Sequence, residues 1–362
     1  MEFGIFSESG YRRNAVAAQA YAEDIQEIVV ADRLGFREAW VAETNAVRPT
    51  TVTHASLIIA NAAAVTKQIR FGSGIRQLPL HHPVSLVQEA NLLDQVTGGR
   101  YIFGYGGTHL LSLAQLYMRG IDVGPDDTRP MVTEGVEFLM KCWTSDEPFD
   151  FQGRYWRGKD IHVLPKSFQQ PHPPIAAACT GSFETIELAA GHGFVPLFGR
   201  GNDRAENVRQ WAETYLECAT AAGWTPTRRS FHVTHFVYVA DTDDKARADL
   251  RPSMTALLEA RRGESLLYQM HRPPEDRTQE MSFDGMCDQG AFWVGSPDTV
   301  SQRVRDYFVA TGGFGVLLFS AGQPFATPRK RARSMRLFME RVAPRLSDLD
   351  PDRELAATAA TR

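Results

Sequence analysis

Cysteine is scarce: Cys142, Cys179, Cys218 and Cys287 are the only four in 362 residues. They are scattered and form no C-x-x-C pair. Neither a disulfide framework nor a cysteine metal site is expected, and the usage is that of a reducing compartment. Long apolar runs are missing too. No stretch reaches the roughly 18 consecutive apolar residues of a membrane helix, and the opening EFGIF has no basic flank and no long apolar core. The expectation is a cytoplasmic chain with neither signal peptide nor membrane span. Charge is balanced, with 39 Lys and Arg against 43 Asp and Glu for a formal net charge of -4. Nothing in that balance calls for nucleic acid. The densest basic cluster, Arg329-Lys330-Arg331 with Arg333 and Arg336, follows a helical period and reads as a solvated helix face.

Familiar catalytic signatures are missing as well. There is no G-x-S-x-G elbow and no paired Cys and His, so covalent nucleophilic catalysis has no support in the sequence. His54, His81, His82 and His109 match none of the usual ligand spacings, and no carboxylate stands among them, so no metal site is expected.

What is present is an alternation. FGIF (3–6), EAWVA (38–42), RFGSGI (70–75) and RYIFGYG (100–106) each precede a segment of helical period. PPIAAACTG (173–181), FVPLFG (194–199), SFHVTHFVYVA (230–240) and FGVLLFS (314–320) repeat the pattern in the second half. Strand-helix alternation implies a parallel sheet. Eight such units suit a closed (β/α)8 TIM barrel, which leaves no sheet edge to protect; an open doubly wound sheet is the alternative. The reading is one barrel domain over 1–345, with insertions at about 147–160 and 262–295 and a flexible C-terminal tail over 346–362. Alternating aromatic and polar residues around Gly153 suggest a hairpin in the first insertion. The second insertion reads as a lid, a binding loop or a dimer contact.

In a parallel barrel the carboxyl ends of the strands share one face, where active sites are built. The residues just past each strand therefore matter most. They include Ser7 and Glu8, then Glu43-Thr44-Asn45, Arg76-Gln77, Gly106-Gly107, Thr180-Gly181-Ser182 and Ser320. In ACTGSFET, Gly181 allows close approach, and Ser182 and Thr185 offer hydroxyls one helical turn apart at a helix N-terminus, a place that favours anions. Ser182 as an ordinary helix cap, and Arg129 as a solvent-facing arginine, are the competing readings. Glycines on both sides of Ser73 mark either a barrel bulge or the close approach of a flat ligand. His81 and His82 precede Pro83 and look like a turn into a helix, where at most one faces the mouth.

HPVSLVQEANLLDQVTGGRYIFGYG (82–106) resembles the bacterial luciferase-like flavin-dependent monooxygenases. WVAE (40–43), GSGI-x-x-LP-x-x-HP (72–83), TRP (128–130), GSPDTVSQRVRDYF (295–308) and GGFGVLLF (312–319) extend the resemblance in the family's order. The look is nearest to the type II Baeyer-Villiger and limonene-type members. The resemblance implies a barrel, usually a homodimer, that takes reduced FMN from a separate flavin reductase and forms a C4a-peroxyflavin with O2. The product class it implies is a small hydrophobic substrate oxidised by Baeyer-Villiger chemistry, aldehyde oxidation or hydroxylation. The alternatives are a deazaflavin-dependent dehydrogenase on the same barrel and a catalytically idle flavin-binding partner subunit.

Carried over residue by residue, the resemblance implies a non-proline cis peptide at Gly74-Ile75, beside Ser73, behind the flavin ring. It implies phosphate contacts from Arg129 and from Ser182 and Thr185 next to Gly181. Thr44 stands where members often carry histidine, and Gly106 and Gly107 replace a reactive cysteine and a second arginine. Thr44, His81 and His82 are the candidates for contacting oxygen or substrate, with Thr44 as hydrogen-bond partner and not as base. Phe292, Trp293 and Tyr268 either roof the pocket or pack in a core.

Overall fold

The apolar runs form parallel strands and the periodic segments form helices in a computed structural model that describes residues 1–8, 16–43, 52–107, 120, 123–201, 203–263, 282–322 and 325–352. The first strands are β1 (Glu2–Ser7), β2 (Glu38–Val41), β3 (Arg70–Ser73), β4 (Arg76–Gln77) and β5 (Tyr101–Gly106). A hairpin of β6 (Phe149–Gln152) and β7 (Arg157–Ile161) follows, then β8 (Ile175–Ala178), β9 (Val195–Gly201) and β10 (His232–His235). β11 (Val237–Val239), β12 (Trp293–Gly295) and β13 (Val316–Ala321) complete the set. β3 and β4 are one strand interrupted at Gly74-Ile75, and the order β3-β2-β1-β13-β10-β9-β8-β5-β4 closes through β3 against β5. The result is a closed parallel barrel of eight strands, as expected for the (β/α)8 class.

Helices α1 (Ala17–Leu34), α2 (Ala55–Ala63), α3 (Pro83–Thr97), α4 (Thr128–Thr144) and α5 (Phe183–Gly191) wrap the first half. α6 (Ala205–Ala221), α7 (Asp243–Gly263), α8 (Phe283–Asp288), α9 (Pro297–Thr311) and α10 (Pro328–Leu337) complete the described helices. Among the described residues no helix is long and apolar enough to cross a membrane.

The bore of the barrel is filled. Trp40, Ile102, Ala176, Leu197, Val316 and Leu318 form a buried cluster inside it. A Cβ on Gly72 would stand 2.2 Å from the Trp40 indole, and one on Gly104 would stand 2.0 Å from the Ser73 carbonyl oxygen. The glycines flanking Ser73 therefore make room for the barrel's own side chains: Gly72 for Trp40, Gly74 for Phe6. Below Trp40, Glu38 accepts from the indole Nε1 at 2.8 Å and lies 2.9 Å from His232 Nε2. Burial would raise this carboxyl, but the charge and hydrogen bond of His232, the indole and Arg70 together bring it down to about 2.

The run that carries the family resemblance is largely a structural knot. Gly98 and Gly99 end α3 with positive φ of 64° and 80°. Asp94 accepts from the backbone N–H and the side-chain amide of Gln169, both at 2.7 Å, and Arg100 donates to the carbonyls of Ile69 at 3.0 Å and Ala63 at 3.1 Å.

The hairpin at the first insertion is present. Glu134 on α4 anchors it by accepting three successive backbone N–H groups, from Arg154, Tyr155 and Trp156, at 2.7–2.8 Å. The structure departs from the sequence reading in three places. The run 230–240 is two strands: β10 stays in the barrel, while β11 leaves it to pair in parallel with β12. The basic cluster on α10 is no simple solvated face, because Arg331 is buried and paired with Glu27 at 2.9 Å while Arg333 meets Asp241. The tail begins later than residue 346: Leu346 and Leu349 are buried, and Asp350 accepts from Arg229 at 2.7 Å. Residues 353–362 lie outside the described residues.

Candidate active site

At the carboxyl ends of the strands the barrel opens into a cavity of about 280 Å³. Phe6, Ala42, Ile75, Ala178 and Leu197 give it apolar walls, and Glu8, Thr180 and Thr234 supply its polar groups. This is the make-up of a small-molecule site: mostly apolar, with a few placed polar atoms. Glu8 is the one carboxylate among the described lining residues, and its Oε1 accepts from the Ser320 hydroxyl at 2.7 Å.

The Gly74-Ile75 peptide is cis, and both residues line the cavity. Their contacts account for the glycines around them. A Cβ on Gly74 would stand 2.6 Å from the Phe6 ring, and one on Gly106 would stand 2.6 Å from Ile75 Cδ1. Ser73 is not a mouth residue. Its hydroxyl is fully buried, lies 3.1 Å from the Tyr101 hydroxyl, and accepts from the Gly104 N–H at 2.9 Å. That hydroxyl ties β3 to β5.

One step past Thr180 the chain turns at Gly181, whose φ of 110° favours glycine, and enters α5 through Ser182. The Thr185 N–H donates to Ser182 Oγ at 3.3 Å, so Ser182 caps the helix. Arg129, in the first turn of α4, reaches the same place and donates to Glu184 at 2.8 Å. Arg129 is thus brought from α4 to the N-terminus of α5, where Ser182 and Thr185 stand one helical turn apart.

The strand-two end resolves differently. Glu43 has an enclosed side chain, its carboxylate pairs with Arg76, and it lies 3.0 Å from His81 Nε2. Arg76 is itself buried and also pairs with Glu89 at 3.0 Å. His82 caps α3 by accepting the Val84 N–H at 3.3 Å, and partial burial moves its imidazole below the usual range. Neither histidine lines the cavity. Thr44 lies outside the described residues, as do His109 and Tyr268. Phe292 and Trp293 pack away from the cavity: Phe292 against Phe236, and Trp293 stacked 3.6 Å over His235. Among the described residues, no group of three or more His, Cys, Asp or Glu could hold a metal ion.

Sequence reasoning passed over Thr234 and Gly199. Thr234 sits within a run that predicts one long strand, and only the early end of β10 makes it a mouth residue. Gly199, with φ of 85°, lines the cavity, whereas the run FVPLFG predicts it only as the last residue of its own strand.

The model of the luciferase-like monooxygenase family matches residues 1–314. The chain belongs to this family. As a luciferase-like monooxygenase it is an oxidoreductase on the (β/α)8 barrel described above. It is 31% identical over 322 residues to the 4-hydroxyprotoasukamycin monooxygenase of Streptomyces nodosus subsp. asukaensis, covering 87% of this chain and 84% of the relative. It is 28% identical to the limonene 1,2-monooxygenase of Rhodococcus erythropolis, covering 97% of this chain and 88% of that one. Among solved structures it is similar to the oxygenating constituent of 3,6-diketocamphane monooxygenase from Pseudomonas putida, a type II Baeyer-Villiger monooxygenase in complex with FMN. That match has a TM-score of 0.82 at 28% identity and covers 95% of this chain and 98% of the other.

Proposed function

We propose that this luciferase-like monooxygenase is the oxygenase component of a two-component system, using reduced FMN from a separate reductase and O2 to oxidise a small hydrophobic substrate. Insertion of oxygen next to the carbonyl of a cyclic ketone is the favoured reaction, by similarity to a type II Baeyer-Villiger enzyme. The observation that supports the reading is an apolar cavity walled by the Gly74-Ile75 peptide and by Thr180, two residues before Ser182, whose hydroxyl shares the Glu184 carboxylate with Arg129. A planar ring suits the cavity and a phosphate suits the donors at the α5 N-terminus.

Reduced flavin supplies the electrons that activate O2; the protein's residues bind, orient and shield. In this reading Gly74 and Ile75 support the ring, Gly181 lets the backbone approach, and Arg129, Ser182 and Thr185 hold the phosphate. The apolar wall of Phe6, Ala42, Ala178 and Leu197 keeps water from the reacting centre. Thr180 and Thr234 are placed to donate hydrogen bonds to a polarised carbonyl. Leu57 on α2 and Leu92 and Val96 on the neighbouring α3 are exposed apolar side chains, which supports a homodimer through that face.

The test is a single turnover. Anaerobically reduced FMN and the protein are mixed with isotopically labelled O2 and a panel of cyclic ketones, and products are read by mass spectrometry. One labelled oxygen per product molecule is expected; no labelled product from any substrate, with flavin bound, sinks the proposal. Parallel titration with FMN and a deazaflavin decides between the two cofactors.

A further inference from the structure

The two oxygens of the Glu184 carboxylate are both taken, and by the groups a phosphate would need. Oε1 accepts from Arg129 Nη1 at 2.8 Å and Oε2 accepts from the Ser182 hydroxyl at 2.8 Å. Glu184 is the second residue of α5, a nine-residue helix from Phe183 to Gly191, so its carboxylate lies at the positive end of the helix dipole. Its own backbone N–H, the Ser182 hydroxyl and Arg129 all favour the anion and hold the carboxyl below its usual range. The carboxylate is therefore charged throughout the neutral range.

Arg129, entering one helix, and Ser182, capping another, converge on one anion. Here that anion belongs to the chain. We propose that Glu184 is a specificity-determining residue that occupies the phosphate position of the flavin site as an internal anion and competes with the phosphate of FMN. The proposal rests on reading Arg129, Ser182 and Thr185 as phosphate donors. The single Ser182 hydroxyl proton serves one anion at a time and two anions on Arg129 repel, so binding of FMN exchanges one for the other. Glu184 turns out to solvent, and the phosphate takes its contacts.

Two consequences follow from that exchange. The donors keep their arrangement when no flavin is bound, because Glu184 holds Arg129 and Ser182 in place. The net affinity for FMN is a difference between two anions and not the full strength of the phosphate contacts, which suits a cofactor that is loaded and released. Because the Arg129 pair is exposed, the competition is modest, on the order of two- to fivefold in affinity. Riboflavin, lacking the phosphate, is indifferent to it.

The experiment is a fluorescence titration of FMN and of riboflavin into the wild type, Glu184→Gln, Arg129→Gln and Ser182→Ala at one fixed, low ionic strength. Glu184→Gln is expected to bind FMN about two- to fivefold more tightly and riboflavin as the wild type does, whereas Arg129→Gln weakens FMN alone. If Glu184→Gln binds FMN no better than the wild type while Arg129→Gln weakens it, the phosphate site stands and the competition is refuted. If Arg129→Gln and Ser182→Ala change FMN no more than riboflavin, the phosphate site itself is misplaced and the proposal falls with it.

Discussion

His81 Nε2 lies 3.0 Å from the carboxylate of Glu43, whose other oxygen pairs with Arg76. The carboxylate that ends β2 is therefore a clasp between β2, β4 and the turn into α3, and it stands behind the cavity wall. Glu43→Gln keeps the shape but leaves the buried guanidinium with Glu89 alone. Breaking a buried pair from one side costs about 3 kcal/mol or more, to be read from urea denaturation. A loss no larger than that of a surface substitution would mean that the pair is dispensable.

Gly72 offers a cleaner packing test. Its absent Cβ would lie 2.2 Å from an indole that is itself fully buried. Trp40 has nowhere to go, so Gly72→Ala is expected to cost about 3 kcal/mol, the upper end for an overpacked core. Its reach is confined to the bore. Flavin affinity per folded molecule should be unchanged, and calorimetry with a parallel titration checks both halves.

Gly106→Ala probes the cavity wall instead. The new methyl would meet Ile75 first, Cδ1 at 2.6 Å and Cγ1 at 3.2 Å, and then Ala178 Cβ at 3.4 Å; the Ile75 side chain can turn, so stability should fall by about 1 kcal/mol. Turning Ile75 alters the surface on which the flavin ring is proposed to rest. FMN should bind severalfold more weakly, and riboflavin by the same factor, since the phosphate is not involved. Unaltered titrations for both would remove Ile75 from the proposed site.

Asp24 gives a pH signature. Burial, and next the charge of Glu27, raise its carboxyl to about 7, against the pull of Arg331 and the Ser7 hydroxyl. The folded state thus holds a proton that the unfolded state releases from about pH 4 upward. Stability from this group is intact below pH 4, is lost progressively as pH rises, and is lowest above pH 7. Asp24→Asn should therefore melt a few degrees higher than the wild type at pH 8 and almost with it at pH 4. An offset that is the same at pH 5 and pH 8 would show that Asp24 is ionised across that range.

How much of this was readable beforehand differs by region. The barrel was legible because each strand-helix unit repeats the same change of period, and the cis peptide and the Arg129-Ser182-Thr185 grouping were legible by resemblance to a family. The two glycines beside Ser73 suit either a barrel bulge or a flat ligand by sequence, and the side chains they make room for are Trp40 and Phe6. Nothing in a linear sequence shows which distant side chain will cross a barrel. For the same reason His81 and His82 looked available. One lies against an enclosed carboxylate and the other caps a helix, and both partners are fixed by packing, not by spacing. Thr234 was hidden by the opposite error: a run of strand-forming residues does not disclose where it changes sheets.

The indole that plugs the bore also settles the traffic of the site. Among the described residues Trp40 and its neighbours fill the bore, so the cavity is reached from the carboxyl ends of the strands. Whatever lies deepest must enter first and leave last. If that molecule is the flavin, the substrate is queued behind it, and spent cofactor waits on departing product. The sequence of arrivals is then imposed by architecture, before any difference in affinity is considered.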